Sequence, residues 1–343
     1  MPGPASDSKQ YRPVENGEIC RMAHTVVLLD LTSPERAEHL RHLLPPDFVL
    51  THGTARGDEH LKEIIRDADF AISGQVGVSG DVLRAARRLK LLHKWGVGVD
   101  NIDMEAAKEL SIRVARTTGS NAVPVAEFTI GLIIATLRFQ ALGHEQLRQG
   151  RWMAFNQMPG TTFCISGKTA GLIGFGAIGQ AVASRLRSFD CALLYNKRSR
   201  LSPAEESELG VTYATTDELL ASSDIVCLHC PLTPETTNLI DTRALSRMKR
   251  SAVLINVARG GVVVEADLAR ALRDKTIRGA AMDVYSIEPL PGDSELLTLD
   301  NIVVTPHLAA ATADTFEPTV RRMFDNMVRV VRGEPVPERD LVA

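Results

Sequence analysis

The chain has 343 residues, of which 44% are hydrophobic and 24% charged, with a formal net charge of -3. That length exceeds one ordinary core and suits two lobes of roughly 100 to 200 residues each, while the near-balanced charge excludes a strongly basic nucleic-acid binder. Its five cysteines are an odd number, which speaks against a disulfide framework and for a reducing, cytoplasmic setting.

Residues 1–23 are polar and mixed in charge, with neither an apolar signal core nor a small-residue cleavage site, and are expected to form a loose tail. From His24 onward the runs TVVLLD, DFVLT, ADFAIS, LKLLHKW and IRVAR read as strands. Helix-like segments start between them near Pro34, Asp58, Ser79 and Asp103. Strands alternating with helices predict βα units and a parallel sheet. After Arg116 the rhythm breaks at TTGSNAVPVAEF, the expected crossover between lobes, and one long helix is predicted from there to about Arg148. Its run AVPVAEFTIGLIIATL contains Pro124 and Glu127 and falls short of the roughly 18 uninterrupted apolar residues of a membrane span. It reads as a buried helix at a lobe or subunit interface. A second series, KTAGLIGFG, ALLYN, DIVCLHC, AVLINVA, IRGAAMDV and NIVVTPH, predicts a six-stranded dinucleotide-binding sheet. The last helix, about Thr312 to Arg332, repeats apolar residues at a helical period and either closes the second lobe or returns to the first. The end, GEPVPERDLVA, reads as a tail.

Gly174, Gly176 and Gly179 form a GxGxxG that follows an apolar strand and opens a helix. In that context the glycines permit a tight turn, a close approach of backbone to pyrophosphate, and close packing of helix on strand. The amides of Ala177 and Ile178 would face the anion at the helix N-terminus. Seventeen residues past Gly179, where a carboxylate usually holds the adenosine ribose, the chain has Asn196 followed by Lys197, Arg198, Ser199 and Arg200. Without that carboxylate a 2′-phosphate meets no repulsion. The cations and the Ser199 hydroxyl can bind it, which points to NADP, with NADPH preferred and NAD possible. Cys227 and Cys230 form a CxxC on a β-like segment, where positions three apart face opposite sides of the sheet, so the pair reads as packing and no metal site is expected.

Three further segments put a polar side chain just after a strand: Arg259 in INVARGG, Glu288 in YSIEPLP and His307 in VTPHLAA. The C-terminal ends of parallel strands line the ligand crevice, so these three are expected to converge. Reduction of a 2-keto acid requires a cation to clamp the carboxylate, a proton donor for the carbonyl oxygen, and an anion to keep that donor protonated. Arg259, His307 and Glu288 supply those in turn. His229, mid-strand, reads as packed, and the remaining histidines precede the glycine motif.

The segments KWGVGVDNIDMEAA, VAEFTIGLIIATLR, GKTAGLIGFGAIGQAVA, CPLTPETTNLI, INVARGGVVVEADL, AAMDVYSIEPLP and TPHLAAAT, in this order, resemble the D-isomer-specific 2-hydroxyacid dehydrogenases. The resemblance implies an α/β fold of two doubly wound parallel-sheet lobes around a cleft. A flavodoxin-like substrate domain would comprise residues 24–119 plus 309–335, and a Rossmann cofactor domain residues 120–308, with 1–23 and 336–343 as tails. It implies that Arg259 binds substrate, that His307 is the acid/base with Glu288 as partner, and that the Val97 and Gly98 amides hold the substrate carboxylate. It further implies that Asp283 bonds the nicotinamide carboxamide, that Pro231, Thr236, Val257 and Ala258 line the dinucleotide, and that the helix near Val123 forms a homodimer interface. The loop SGQVGVS lacks a cation for a substrate phosphate, although Lys94 lies nearby; Glu288 counts against formate and Val97 against phosphite. The expectation is a reductase of a small 2-keto acid resembling glyoxylate or hydroxypyruvate, with no nucleic-acid or membrane partner. The rivals are an NAD-dependent phosphoglycerate dehydrogenase and a dinucleotide-sensing corepressor.

Overall fold

The computed structural model describes residues 23–342, so the expected N-terminal tail lies almost wholly outside the described residues. The first five strands are β1 (His24–Leu31), β2 (Phe48–Gly53), β3 (Phe70–Ser73), β4 (Leu91–Lys94) and β5 (Arg113–Arg116). They pair in parallel in the order β2-β1-β3-β4-β5, a flavodoxin-like winding. Every position of β3 and β4 is buried, because helices cover both faces of the sheet. Three of the covering helices begin at side-chain caps, with Ser33, Ser79 and Asp103 each accepting a backbone amide of the first turn.

The second sheet is built from β6 (Thr169–Ile173), β7 (Ala192–Asn196), β8 (Thr212–Tyr213), β9 (Ile225–Leu228), β10 (Val253–Asn256), β11 (Gly279–Met282) and β12 (Ile302–Val304). It has seven parallel strands in the order β12-β11-β10-β9-β6-β7-β8. The strand absent from the sequence reading is β8, a two-residue edge strand too short to show periodicity. The order reverses between β6 and β9, and in such sheets ligands bind at that switch point. Cys227, on β9, and Cys230, two residues past its end, pack into different hydrophobic clusters.

The helix expected to run unbroken to Arg148 is two helices, Ala122–Arg138 and Gln140–Arg148, bent by 68°. Phe139 breaks it in the left-handed region at φ 52°. Arg278 explains the break: its guanidinium lies 4.6 Å from the Phe139 ring centroid and donates to the carbonyls of Thr136 and Leu137, both at 3.1 Å. Those are carbonyls the helix end would otherwise leave unpaired. The longer piece packs on the Ala177–Arg187 helix and on β10 and β11. Among the described residues, no single helix is long and apolar enough to cross a membrane.

The final helix, Ala313–Val331, returns to the first lobe, where Val320, Met323, Phe324 and Met327 share a core with Val26, Leu28, Phe70 and Leu91. The segment after it is no tail. Val336 and Asp340 are buried, Leu341 bridges Ala115 antiparallel, and the Asp340 carbonyl accepts the Arg116 amide at 2.8 Å. The Asp340 carboxylate takes donors from Arg322, with Nε at 2.8 Å, and from Asn326 at 3.2 Å. Arg322 also reaches the Thr118 carbonyl at 3.0 Å, so the C-terminus is stitched to the crossover between lobes.

Candidate active site

The phosphate turn follows β6. Gly174 has φ 94°, and a Cβ there would drive into the backbone of His229 and Cys230 at the end of β9. Gly176 faces open space, with nothing within 4 Å of a Cβ placed on it, and caps the Ala177–Arg187 helix without a side-chain hydrogen bond. The first-turn amides, those of Ala177 and Ile178 among them, are thus left to an anion, and the turn fits a dinucleotide pyrophosphate.

At the end of β7 the Asn196 carbonyl accepts the Gly174 amide at 2.9 Å, and its side chain donates to the Ala214 carbonyl at 2.9 Å. Lys197 is partly exposed, while Arg198 and Ser199 are exposed. The carboxyl of Glu235, on the loop after β9, is held below its ordinary value first by the Thr233 hydroxyl and then by its own backbone, with a smaller contribution from the Arg198 charge. That loop carries Pro231 and Thr236, whose hydroxyl donates to the Pro231 carbonyl at 2.7 Å. Arg200, grouped with the phosphate-binding cations from sequence, is committed elsewhere. It pairs with Glu206 through Nε at 2.8 Å and Nη2 at 3.0 Å and lies 5.2 Å from the Tyr213 ring centroid. Bonds from Arg200 and from the buried Tyr195 hydroxyl hold the Glu206 pKa down at about 2.

Arg259 follows β10, beyond Val257 and Ala258, which are both buried. Its guanidinium lies on the backbone of Gly98, where any side chain would occupy the same space. Its Nε donates to Asp100 Oδ1 at 2.8 Å and Oδ2 at 3.0 Å, joining the second lobe to the loop after β4 that carries Val97 and Gly98. Asp100 was missed in the sequence reading: it is one carboxylate among many, and only the lobe packing aims it at Arg259.

Glu288 Oε2 lies 2.7 Å from His307 Nδ1, and Glu288 Oε1 accepts the Tyr285 amide at 3.0 Å. Burial works against ionisation of Glu288. The His307 bond, the Tyr285 amide and the charges of His307 and Arg259 outweigh it, and the Glu288 pKa lies below its ordinary value. Arg259 is therefore close enough to act on the pair. A Cβ on Gly260 would collide with the backbone of Tyr285 and Ser286, so glycine lets the Arg259 loop press against the Glu288 loop. His307 has φ 55°, a left-handed backbone uncommon outside glycine and concentrated at functional sites.

Asp283, expected at the nicotinamide carboxamide, is fully buried and serves the loop of His307. Its carboxylate accepts the Thr305 hydroxyl at 2.6 Å and the amides of Leu308 and Ala309, both at 2.9 Å. A carboxylate removed from water requires such donors. Burial also separates the other inward histidines from His307, pushing both His93 and His229 down to about 4 and so keeping them neutral.

Residues 130–309 match the family model described as D-isomer specific 2-hydroxyacid dehydrogenase, NAD binding domain. A glyoxylate reductase of Korarchaeum cryptofilum is 37% identical over 277 residues, covering 80% of this chain and 83% of that protein. The chain belongs to the D-isomer-specific 2-hydroxyacid dehydrogenases. It is thus an oxidoreductase of 2-hydroxy acids that binds a nicotinamide dinucleotide. A D-3-phosphoglycerate dehydrogenase of Archaeoglobus fulgidus is 36% identical over 280 residues, 81% of this dehydrogenase but 52% of its own length. Among solved structures, an NADPH-dependent glyoxylate/hydroxypyruvate reductase of Sinorhizobium meliloti, crystallised with NADP and malonate, is 28% identical. It superposes with a TM-score of 0.81 over 93% of this chain and 97% of that one.

Proposed function

We propose that this dehydrogenase reduces a small 2-keto acid, glyoxylate or hydroxypyruvate, to the D-2-hydroxy acid with NADPH preferred over NADH. The observation that carries the reading is the 2.7 Å contact between His307 Nδ1 and Glu288 beside Arg259. The relatives named glyoxylate reductase and the neighbour solved with NADP support it.

The Arg259 guanidinium and the amides of Val97 and Gly98 bind the substrate carboxylate, with Asp100 fixing the Nε edge of the fork. His307 turns Nδ1 to Glu288, leaving Nε2 to donate its proton to the carbonyl oxygen, and Glu288 keeps the ring oriented. The bound dinucleotide supplies the hydride to the carbonyl carbon. Gly174, Gly176, Gly179 and the helix amides hold the pyrophosphate, and Pro231, Thr236, Val257 and Ala258 line its path. Asn196, Lys197, Arg198 and Ser199 receive the 2′-phosphate. Asp283 sets the His307 loop and so the position of the imidazole. A phosphoglycerate substrate finds less support, because Lys94 is buried and bonded to Asn101 Oδ1 at 2.7 Å.

The proposal extends to a cytoplasmic homodimer joined through the helix Ala122–Arg138, on which Val123 is exposed; Leu147 and Trp152 are exposed just beyond it. The test of the whole reading is a panel of glyoxylate, hydroxypyruvate, pyruvate and phosphohydroxypyruvate, each run with NADPH and NADH. Higher kcat/KM with the first two keto acids and NADPH is expected, and a preference for phosphohydroxypyruvate with NADH contradicts it.

A further inference from the structure

Lys94 ends β4 with a side chain that the chemistry above does not use. It is 6% exposed, and its Nζ donates to the Gly74 carbonyl and, at 2.7 Å, to Asn101 Oδ1. Asn101 in turn donates from Nδ2 to the Val76 carbonyl at 2.6 Å. From the other side, the Asp30 carboxylate on β1 accepts the amides of Gly74, Gln75 at 2.7 Å and Val76 at 3.0 Å. The turn after β3 is thus gripped by an anion on its amides and a cation on a carbonyl. Asn101 ties it to the turn after β4, which carries Gly98 and the Arg259 contact.

A buried ammonium is expensive unless other groups offset it, and both acceptors bonded to Lys94 are neutral. The charged groups facing it are Arg259 from the second lobe, which opposes its charge, and Asp30 and Asp100, which favour it. Burial first and Arg259 second bring the Lys94 pKa down to about 8. A cation so placed behind an anion site is one that a bound carboxylate would help to stabilise.

Resting on the reading of Arg259 as carboxylate anchor, we propose that Lys94 is a positioning residue for the substrate carboxylate. Its ammonium locks the turn after β3 to the turn after β4, which meets Arg259, and adds a second positive charge behind that turn. The charged form is lost as pH rises through about 8, so keto-acid affinity falls there. By linkage, bound substrate raises the pH at which the ammonium titrates.

The test measures kcat, keto-acid KM and NADPH affinity of the full chain from acid to alkaline pH for wild type, Lys94→Met, Lys94→Arg and Arg259→Gln. Lys94→Met should raise keto-acid KM about tenfold at neutral pH, the worth of a hydrogen bond to a charged group, and change kcat less than about threefold. Its NADPH affinity should stay at the wild-type value. Lys94→Arg remains charged and should keep a low KM without the rise near pH 8. Superimposable KM profiles for wild type and Lys94→Met overturn the proposal. So does a wild-type KM that is flat through pH 8, a result that needs no variant to fold. If Arg259→Gln leaves keto-acid KM unchanged, the anchor reading itself falls; if only Arg259→Gln raises it, the role of Lys94 alone is refuted.

Discussion

Arg198 and Arg200 stand two residues apart in the same basic corner, and the proposed function gives them different work. Arg198 is exposed, whereas Arg200 is held by Glu206 at 2.8 Å. Two unit charges about 4 Å apart interact by roughly 4 kcal/mol at an effective dielectric of about 20 and by roughly 1 kcal/mol in water. Because Arg198 is exposed, the lower part of that range applies, about 1 to 2 kcal/mol toward a 2′-phosphate, or roughly 5- to 30-fold in kcat/KM for NADPH. NADH lacks that phosphate, so Arg198→Ala should change its kcat/KM by less than about twofold. Arg200→Ala should lower thermal stability, because it removes two charge-assisted bonds to Glu206 and the contact with the Tyr213 ring, and leave the cofactor ratio alone. Steady-state rates with both dinucleotides at saturating keto acid, together with a thermal melt, separate the two variants. Equal losses with NADPH and NADH for Arg198→Ala, or a ratio shift carried by Arg200→Ala, would refute the assignment. Asn196→Asp should move preference in the same direction. It is the less clean test, because it also removes the bond donated to the Ala214 carbonyl.

Glu288→Gln leaves a single oxygen to accept from either His307 or the Tyr285 amide, turns an NH2 donor to the other, and removes the negative charge. It should reduce kcat/KM for reduction by about 10- to 100-fold, less than the roughly 10²- to 10⁴-fold expected for loss of the acid itself, with NADPH affinity intact. Asp100→Ala frees the Nε edge of Arg259. Since the pair is only partly buried, a rise in keto-acid KM of about three- to tenfold with little change in kcat is expected from initial-rate measurements. Asp340→Ala leaves the Arg322 guanidinium and Asn326 without their shared acceptor and should cost about 3 kcal/mol, read from denaturant unfolding of the first lobe. Asp340 has a lowered pKa: burial opposes ionisation, but bonds from Arg322 and Asn326 and the nearby arginine charges prevail. Its stabilisation is therefore complete above the ordinary carboxylate range and is lost as pH falls through its lowered value, so wild type and variant should converge in stability at low pH.

Much of this arrangement was legible in the chain because its signals are local. The glycines after β6 announce a turn whose geometry depends on neighbours in sequence, and the strands Val253–Asn256 and Ile302–Val304 deliver Arg259 and His307 to one edge of the sheet by topology alone. What was not legible depends on pairing across long separations. Asp100 meets Arg259 over 159 residues, and nothing in GVGVDN marks that aspartate as a partner rather than a helix cap. The break at Phe139 follows from Arg278, which lies far along the chain and claims the helix-end carbonyls. Asp340 sits in a proline-rich stretch that reads as a tail until Arg322 and the edge of β5 are brought to it. Arg200 looked equivalent to Arg198 because composition cannot tell a free cation from one stacked on Tyr213.

The central claim is that His307, held by Glu288, gives the proton that completes keto-acid reduction. Its most direct test is single-turnover oxidation of bound NADPH by glyoxylate, comparing wild type with His307→Gln at matched dinucleotide occupancy. The account predicts a slowing of about 10²- to 10⁴-fold with unchanged NADPH affinity. Equal single-turnover rates in the two proteins would contradict it.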